Sequence, residues 1–334
     1  MNIQPRVEYL EARGVLLDAL TALQPHLDAI VLIGAQAVYL RTASRLPTYQ
    51  PFTTDADLVV DPARLADTPL LGDAMTSAGF AYTGEPGIWE RTVVRPGFEG
   101  DITVPVDLIV PAAVAPKAGR RGARLPGDHG KSAARKSDGV EGALVDYGQI
   151  EIAALDPADD RQIGVNVAGP AALLVAKAHK LGERLETPQR LLGKDAGDVY
   201  RLFDADPVED LATSLGLLMD DERSQATAEV ALTYPRRPFA TPRSPGAVRA
   251  THARAGSTRP MWSRISSGVC AGVTPGTPWA KAAIQMSPSR SASCGANGRT
   301  TTPAGRVTSG ARRPARLQER RHGFAVGLAL RGLH

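Results

Sequence analysis

Three short apolar runs constrain this chain more than any other feature, because each meets a residue that burial alone would not select. Ala29-Ile30-Val31-Leu32-Ile33 stops at Gly34. Leu58-Val59-Val60 is entered through Asp55-Ala56-Asp57. Val104-Pro105-Val106-Asp107-Leu108-Ile109-Val110 carries an aspartate in its middle. Runs of this length read as buried strands, and a strand that must seat an acid among Val, Leu and Ile has few tolerable environments.

Residues two apart on a strand share a face, so Asp55 and Asp57 project together. A lone Asp-x-Asp at a strand start is common and usually only solvated. With Gly34 upstream and Asp107 on a later strand, metal ligation is the stronger reading. Clustered carboxylates beside an apolar wall repel one another and are costly to desolvate unless a cation joins them. Mg²⁺ suits them, since it takes hard oxygen ligands from one or two carboxylates plus substrate phosphates. Asp107 would complete a two-metal site that clamps the attacking and leaving oxygens of a phosphoryl-type transfer. Gly34, at a strand-to-helix turn, lets the backbone approach a phosphate.

Around these runs the pattern alternates. Apolar residues at helical spacing (Val7, Leu10, Val15, Leu16, Leu20, Leu23) predict an amphipathic helix over 6–24. Residues 28–33 read as a strand, 35–42 as a short helix and 57–61 as a strand. Asp61-Pro62 reads as a helix start running to Ala78, with Gly79 as its end. Residues 80–84 and 89–95 predict a hairpin around Glu85-Pro86-Gly87, and 102–110 the strand of Asp107. The Gly- and basic-rich segment 112–140 reads as a surface loop, or as a mobile basic segment touching RNA phosphates. A hairpin over 148–155 and 162–167 is followed by helices over 170–185, 194–204 and 207–219. The expected fold class is α/β (α+β): a mixed sheet with flanking helices over 1–145, then a hairpin and helical domain over 146–229.

Gly34, Asp55-x-Asp57 and the later Asp107 together resemble the nucleotidyltransferase superfamily, with its polymerase-beta-like fold. Its pattern is a Gly-Gly or Gly-Ser turn, an Asp-x-Asp strand and a third carboxylate. Within it the chain is similar to the AbiEii/AbiGii-type toxins and the related MenT-type toxins. The second half carries that likeness: Lys177 to Arg184 resembles the family's Lys-x6-Arg helix, and Lys194-Asp195-Ala196-Gly197-Asp198 its basic-Asp-x-x-Asp segment. The likeness covers roughly residues 10 to 220. Two places depart from it. The second turn residue is Ala35, which lacks a hydroxyl for phosphate, and Pro51 stands where the family often has Arg, leaving Arg41 or Arg45 as substitutes.

The resemblance implies transfer of a nucleoside monophosphate from an NTP to RNA, with the tRNA 3′ end as the expected acceptor, by the toxin of a toxin–antitoxin pair. Asp55, Asp57 and Asp107 would hold Mg²⁺ (or Mn²⁺). Lys177 would act in catalysis with Asp198, or with Asp195 in its place. Gly34, Ala35, Thr54, Lys180 and Arg184 would contact the nucleotide. Lys177, Lys180 and Arg184 share one helix face, where a solvated basic stripe is the plainer alternative. Thr53 and Thr54 either meet phosphate or cap the turn. Rival readings are a nucleotidyltransferase acting on a small molecule or a protein hydroxyl, and an inactive homologue that only binds nucleic acid.

The charge of the chain is divided. Residues 1–229 hold 22 Lys/Arg against 34 Asp/Glu, and 230–334 hold 17 Lys/Arg against one acid, Glu319. The basic stretch has no lasting helical or strand period and too few large apolar residues to offset chain entropy. It reads as a disordered low-complexity tail: a nucleic-acid-binding arm, or the out-of-frame product of a GC-rich gene. Both cysteines, Cys270 and Cys294, lie in it. A body without cysteine, no leader-like pattern after Met1 and no apolar run of about 20 residues predict a cytoplasmic protein with no membrane partner.

Overall fold

The computed structural model describes residues 5–44, 52–115, 121–185 and 193–234. All of them fall in one compact unit, Met1–Ser289; a second unit, Arg290–His334, lies outside the described residues. The basic stretch beyond residue 234, both cysteines, Arg45 and Pro51 lie outside them too.

The chain is a mixed α/β fold with flanking helices. Helix α1 (Val7–Ala22) leads through a 3₁₀ turn, Gln24–Ala29, into strand β1 (Ile30–Ile33) and helix α2 (Gly34–Thr42). Strand β2 (Ala56–Val60), helix α3 (Leu71–Ser77), strands β3 (Ala81–Tyr82) and β4 (Ile88–Val93), and strand β5 (Ile102–Pro111) follow. Then come β6 (Arg135–Ser137), β7 (Tyr147–Ala153) and β8 (Gln162–Ala168). Four helices close the described chain: α4 (Pro170–Leu185), α5 (Gly193–Ala205), α6 (Val208–Asp220) and α7 (Gln225–Ala231).

The strands form one sheet in the order β3-β4-β5-β2-β1-β8-β7, with β6 paired to β5. Its centre is mixed: β2 runs parallel to β5 and antiparallel to β1, and β1 runs parallel to β8. The apolar runs seen in the sequence are these central strands. All four residues of β1 are buried, as expected of a strand covered on both faces. Helix α1 lies against β2, β5 and β8, burying Leu16, Leu17 and Leu20. Its ends are tied to the sheet by ion pairs: Arg91 and Arg161 with Asp18, and Arg95 with Glu11. The hairpin β7–β8 extends the same sheet beyond β1 rather than standing apart from it.

Three expectations need correction. The helix expected from Asp61 to Ala78 is only α3, preceded by turns over 62–69. Pro69 explains this, since a helix interior has no place for a residue without an N–H. The segment 112–140, expected as a surface loop, is largely packed where described. Ala123, Leu125, Ala133 and Ala134 are buried, and β6 pairs in parallel with the end of β5. Helix α7 had no counterpart among the expected elements. Among the described residues no helix is long and apolar enough to cross a membrane.

Candidate active site

The register of the central strands assembles the acids. In the parallel pair β2–β5, Asp57 stands opposite Asp107, so both side chains leave the same face. On its other side Asp57 is opposite Ile33, the last residue of β1. Gly34 follows with φ +75°, and a Cβ built there would collide with the Asp57 carboxylate. Glycine is therefore required twice, for the left-handed turn and for the space that Asp57 occupies. Ala35, in the first turn of α2, is buried.

Each acid has its own electrostatic setting. The Thr53 hydroxyl donates to Asp55 Oδ1, and Lys194 Nζ lies 2.7 Å from Thr53 Oγ1 and 3.6 Å from Asp55 Oδ1. Burial alone would raise the Asp55 carboxyl, but Lys194 and Thr53 hold it below the ordinary range. Asp57 goes the other way. Burial and then repulsion by Asp55 push it up, Asp107 adds to this, and Lys180 and Lys177 offset only part. Asp107 is gripped by Arg135, whose Nε and Nη2 donate to Oδ2 at 3.2 and 2.7 Å. Behind the strand start, buried Arg13 donates to Gln36 Oε1, and Gln36 donates to the Asp55 carbonyl.

Helix α4 forms the facing wall. A cleft of about 170 Å³ lies between Gly34, Asp57 and Arg135 on the sheet side and Lys177, Lys180 and Glu183 on α4. Lys177 is only 5 % exposed. Its Nζ pairs with Asp198 Oδ2 at 2.7 Å and Asp195 Oδ1 at 3.4 Å, and Arg184 also pairs with Asp195. Asp198, 2 % exposed, is thus placed to hold Lys177. Asp198 is thereby committed to Lys177 in a setting closed to solvent.

Gly34, Asp57, Lys177 and Lys180 meet at one cleft, with Asp107 beside Asp57 on the next strand. Asp55 joins them through its effect on Asp57. Arg184 is engaged by Asp195, and Thr54 is exposed outside the cleft lining. Arg41 does not substitute for the missing arginine: it donates to the carbonyls of Ala168, at 3.0 Å, and Gly148, at 3.3 Å, stapling α2 to the β7–β8 hairpin. Among the described residues no group of three His, Cys, Asp or Glu side chains converges tightly enough to hold a metal ion. Asp55 and Asp107 each pair with a protein cation, Lys194 and Arg135.

Sequence reasoning missed Arg135 and the anchoring of Asp55 by Lys194 and Gln36. Arg135 sits on a three-residue strand inside a Gly- and Lys-rich segment, where no periodicity exists to mark it. The one sequence signal at Lys194 is its place in the Lys-Asp-x-x-Asp segment, which carries no pointer to Asp55. No protein-family model and no curated protein sequence matches this chain.

Proposed function

We propose that the chain is a Mg²⁺-dependent nucleotidyltransferase that moves a nucleoside monophosphate from an NTP to an RNA hydroxyl, with the tRNA 3′ end as acceptor. In this reading it has the nucleotidyltransferase fold and serves as an AbiEii-type toxin in the cytoplasm, neutralised by a cognate antitoxin. Residues 1–145 form the catalytic domain, and 146–229 carry the hairpin and the helices that bring Lys177 to it. The supporting observation is Asp57 in register with Asp107 beside Gly34, facing Lys177 and Lys180 across one cleft.

Asp57 and Asp107 suit the metal by chemistry and register, and the reading requires Asp55 to be drawn in with them when the ion binds. Hard carboxylate oxygens stand on adjacent strands, and the burial and repulsion that raise Asp57 are what a divalent cation relieves. Asp55, Asp57 and Asp107 would hold Mg²⁺, and Mn²⁺ takes the same ligand type. When bound, such an ion neutralises phosphate charge and acts as a Lewis acid toward the phosphoryl oxygens. The chain's own groups do the rest. The first N–H groups of α2 donate to phosphate oxygens, which can come close because residue 34 is glycine. Lys180 brings an ammonium to the same cleft, and Asp195 and Asp198 hold the Lys177 ammonium in place. The acceptor hydroxyl oxygen attacks the α-phosphorus. A new O–P bond forms, the bond to the bridging oxygen breaks, pyrophosphate leaves, and the hydroxyl proton is lost to solvent.

The test uses purified full-length protein, total tRNA, Mg²⁺ and each of the four labelled NTPs, beside Asp57→Ala. Label should enter tRNA with at least one NTP, and the variant should lose at least about a hundredfold in rate, the scale for removing a preorganised electrostatic group. An Asp57→Ala protein of full activity would overturn the site assignment. A second reading is favoured by Glu183 and Asp138 in the cleft lining, which suit a cationic small-molecule acceptor. Label appearing in an added aminoglycoside, a cationic acceptor with hydroxyls, and not in RNA, would select it.

A further inference from the structure

Arg135 is the least explained charged group in the cleft. It lies opposite Lys177 and Lys180, so cations line both walls. Its backbone is tightly fixed. It is in register with Ile109 across the parallel β5–β6 pair and bridges to Gly122. A Cβ on Gly87 would strike its amide nitrogen, so chain passes close on that side too. The neighbours Ala134 and Lys136 are hydrogen-bonded to Ala123 and Arg121. The side chain, by contrast, is 29 % exposed and reaches from this rigid base to Asp107.

The contact between them is lopsided. A guanidinium fork matches a carboxylate best with two N–H groups on two oxygens. Here Nε and Nη2 both converge on Oδ2. The pairing therefore leaves the fork's geometry underused. It also occupies an oxygen of an acid that stands in register with Asp57.

We infer that Arg135 is a polyphosphate-binding residue that exchanges partners: it holds Asp107 when neither metal nor nucleotide is bound, and passes to the phosphate chain of the substrate when both are. The inference rests on the nucleotidyltransferase reading of the cleft and deepens it. In the free protein a divalent ion competes with the guanidinium for Asp107. In the loaded protein Arg135 supplies a planar, permanently charged donor to phosphate oxygens from the wall opposite α4. A purely structural Arg135 would make neither claim.

The exchange predicts opposite signs for two binding measurements on one variant. Mn²⁺ binding is read by the loss of the free-ion EPR signal, without phosphate, for wild type, Arg135→Ala, Arg135→Lys and Asp107→Asn. Inorganic tripolyphosphate binding is then measured by calorimetry at saturating Mn²⁺. Arg135→Ala should bind Mn²⁺ several-fold tighter than wild type, yet bind tripolyphosphate roughly tenfold or more weakly, the scale of a lost charge-assisted hydrogen bond. Arg135→Lys, which keeps the charge and loses the fork, should fall between and serves in place of the alanine variant if that one melts early. Asp107→Asn should weaken Mn²⁺. Arg135 variants that leave Mn²⁺ affinity unchanged or lower, or that keep tripolyphosphate affinity, would overturn the exchange while wild-type binding of both leaves the enzyme reading intact. A folded wild type that binds neither probe would remove both.

Discussion

At the scale of single residues, the site turns on who stands beside Asp57. Gly34 has φ +75°, and the place of its Cβ belongs to the Asp57 carboxylate. Gly34→Ala therefore should cost about 1–3 kcal/mol by urea denaturation, from strain plus displacement of the acid, and abolish Mn²⁺ binding. Gly14, in the middle of α1, is the control. A Cβ there meets nothing within 4 Å. Gly14→Ala should stabilise by about 0.5–1 kcal/mol through helix propensity. Equal effects at the two positions would show that space around Asp57 is not what Gly34 provides. The acids were legible because Asp among Val and Ile is costly and therefore conspicuous. Their partners were not. Arg135 and Lys194 lie 28 and 139 positions from the acids they grip, Asp107 and Asp55, and nothing local marks a side chain whose role is set by a distant strand.

Among the elements, α4 and α5 are tied together by buried ion pairs. Lys177 lies between Asp195 and Asp198, all three nearly inaccessible to water. Lys177→Ala leaves two buried carboxylates without that cation and should destabilise by about 3–5 kcal/mol. Lys177→Met, kept apolar and similar in length, does not restore the charge. The double change Lys177→Met with Asp198→Asn should recover part of the loss, and thermal melting of the three proteins checks it. A Lys177→Ala protein as stable as wild type would mean that water reaches the pair. Helix α4 was visible from its Pro start and basic face, and β7–β8 from two β-rich runs around a turn. The false helix over 61–78 came from reading Asp61-Pro62 as a start without weighing Pro69 inside it. Strand β6 was invisible for a different reason: three residues, Arg135–Ser137, have no period, and only the end of β5 beyond its pairing with β4 makes them a strand.

For the molecule as a whole, the acidic cluster couples stability to pH and, if the proposed function holds, to metal. The Asp57 carboxyl is raised by burial and by its acidic neighbours, so the folded chain holds that proton more tightly than the unfolded one. A group of this sign contributes its full stability below the unfolded value, about pH 4 for an aspartate, and loses it as pH rises through the folded value. In EDTA, Asp57→Asn should therefore match wild type at low pH and melt higher than wild type at neutral pH. Mg²⁺ should reverse the order by binding only the native wild type, adding about 2.7 kcal/mol when present at a hundred times its dissociation constant. Scanning calorimetry from pH 4 to 8, with and without Mg²⁺, checks both halves. A wild type indifferent to Mg²⁺ would remove the metal from this site. The sequence by itself determined the central strands, the helix after Gly34 and the identity of the three acids, since periodicity and the cost of burying charge act over a few neighbouring residues. Only the tertiary structure decided that Asp57 stands level with Asp107, that α4 closes the cleft over them, and that Arg135 and Lys194 hold the outer acids. Those are matters of strand register and long-range charge pairing, set by packing between segments far apart along the chain.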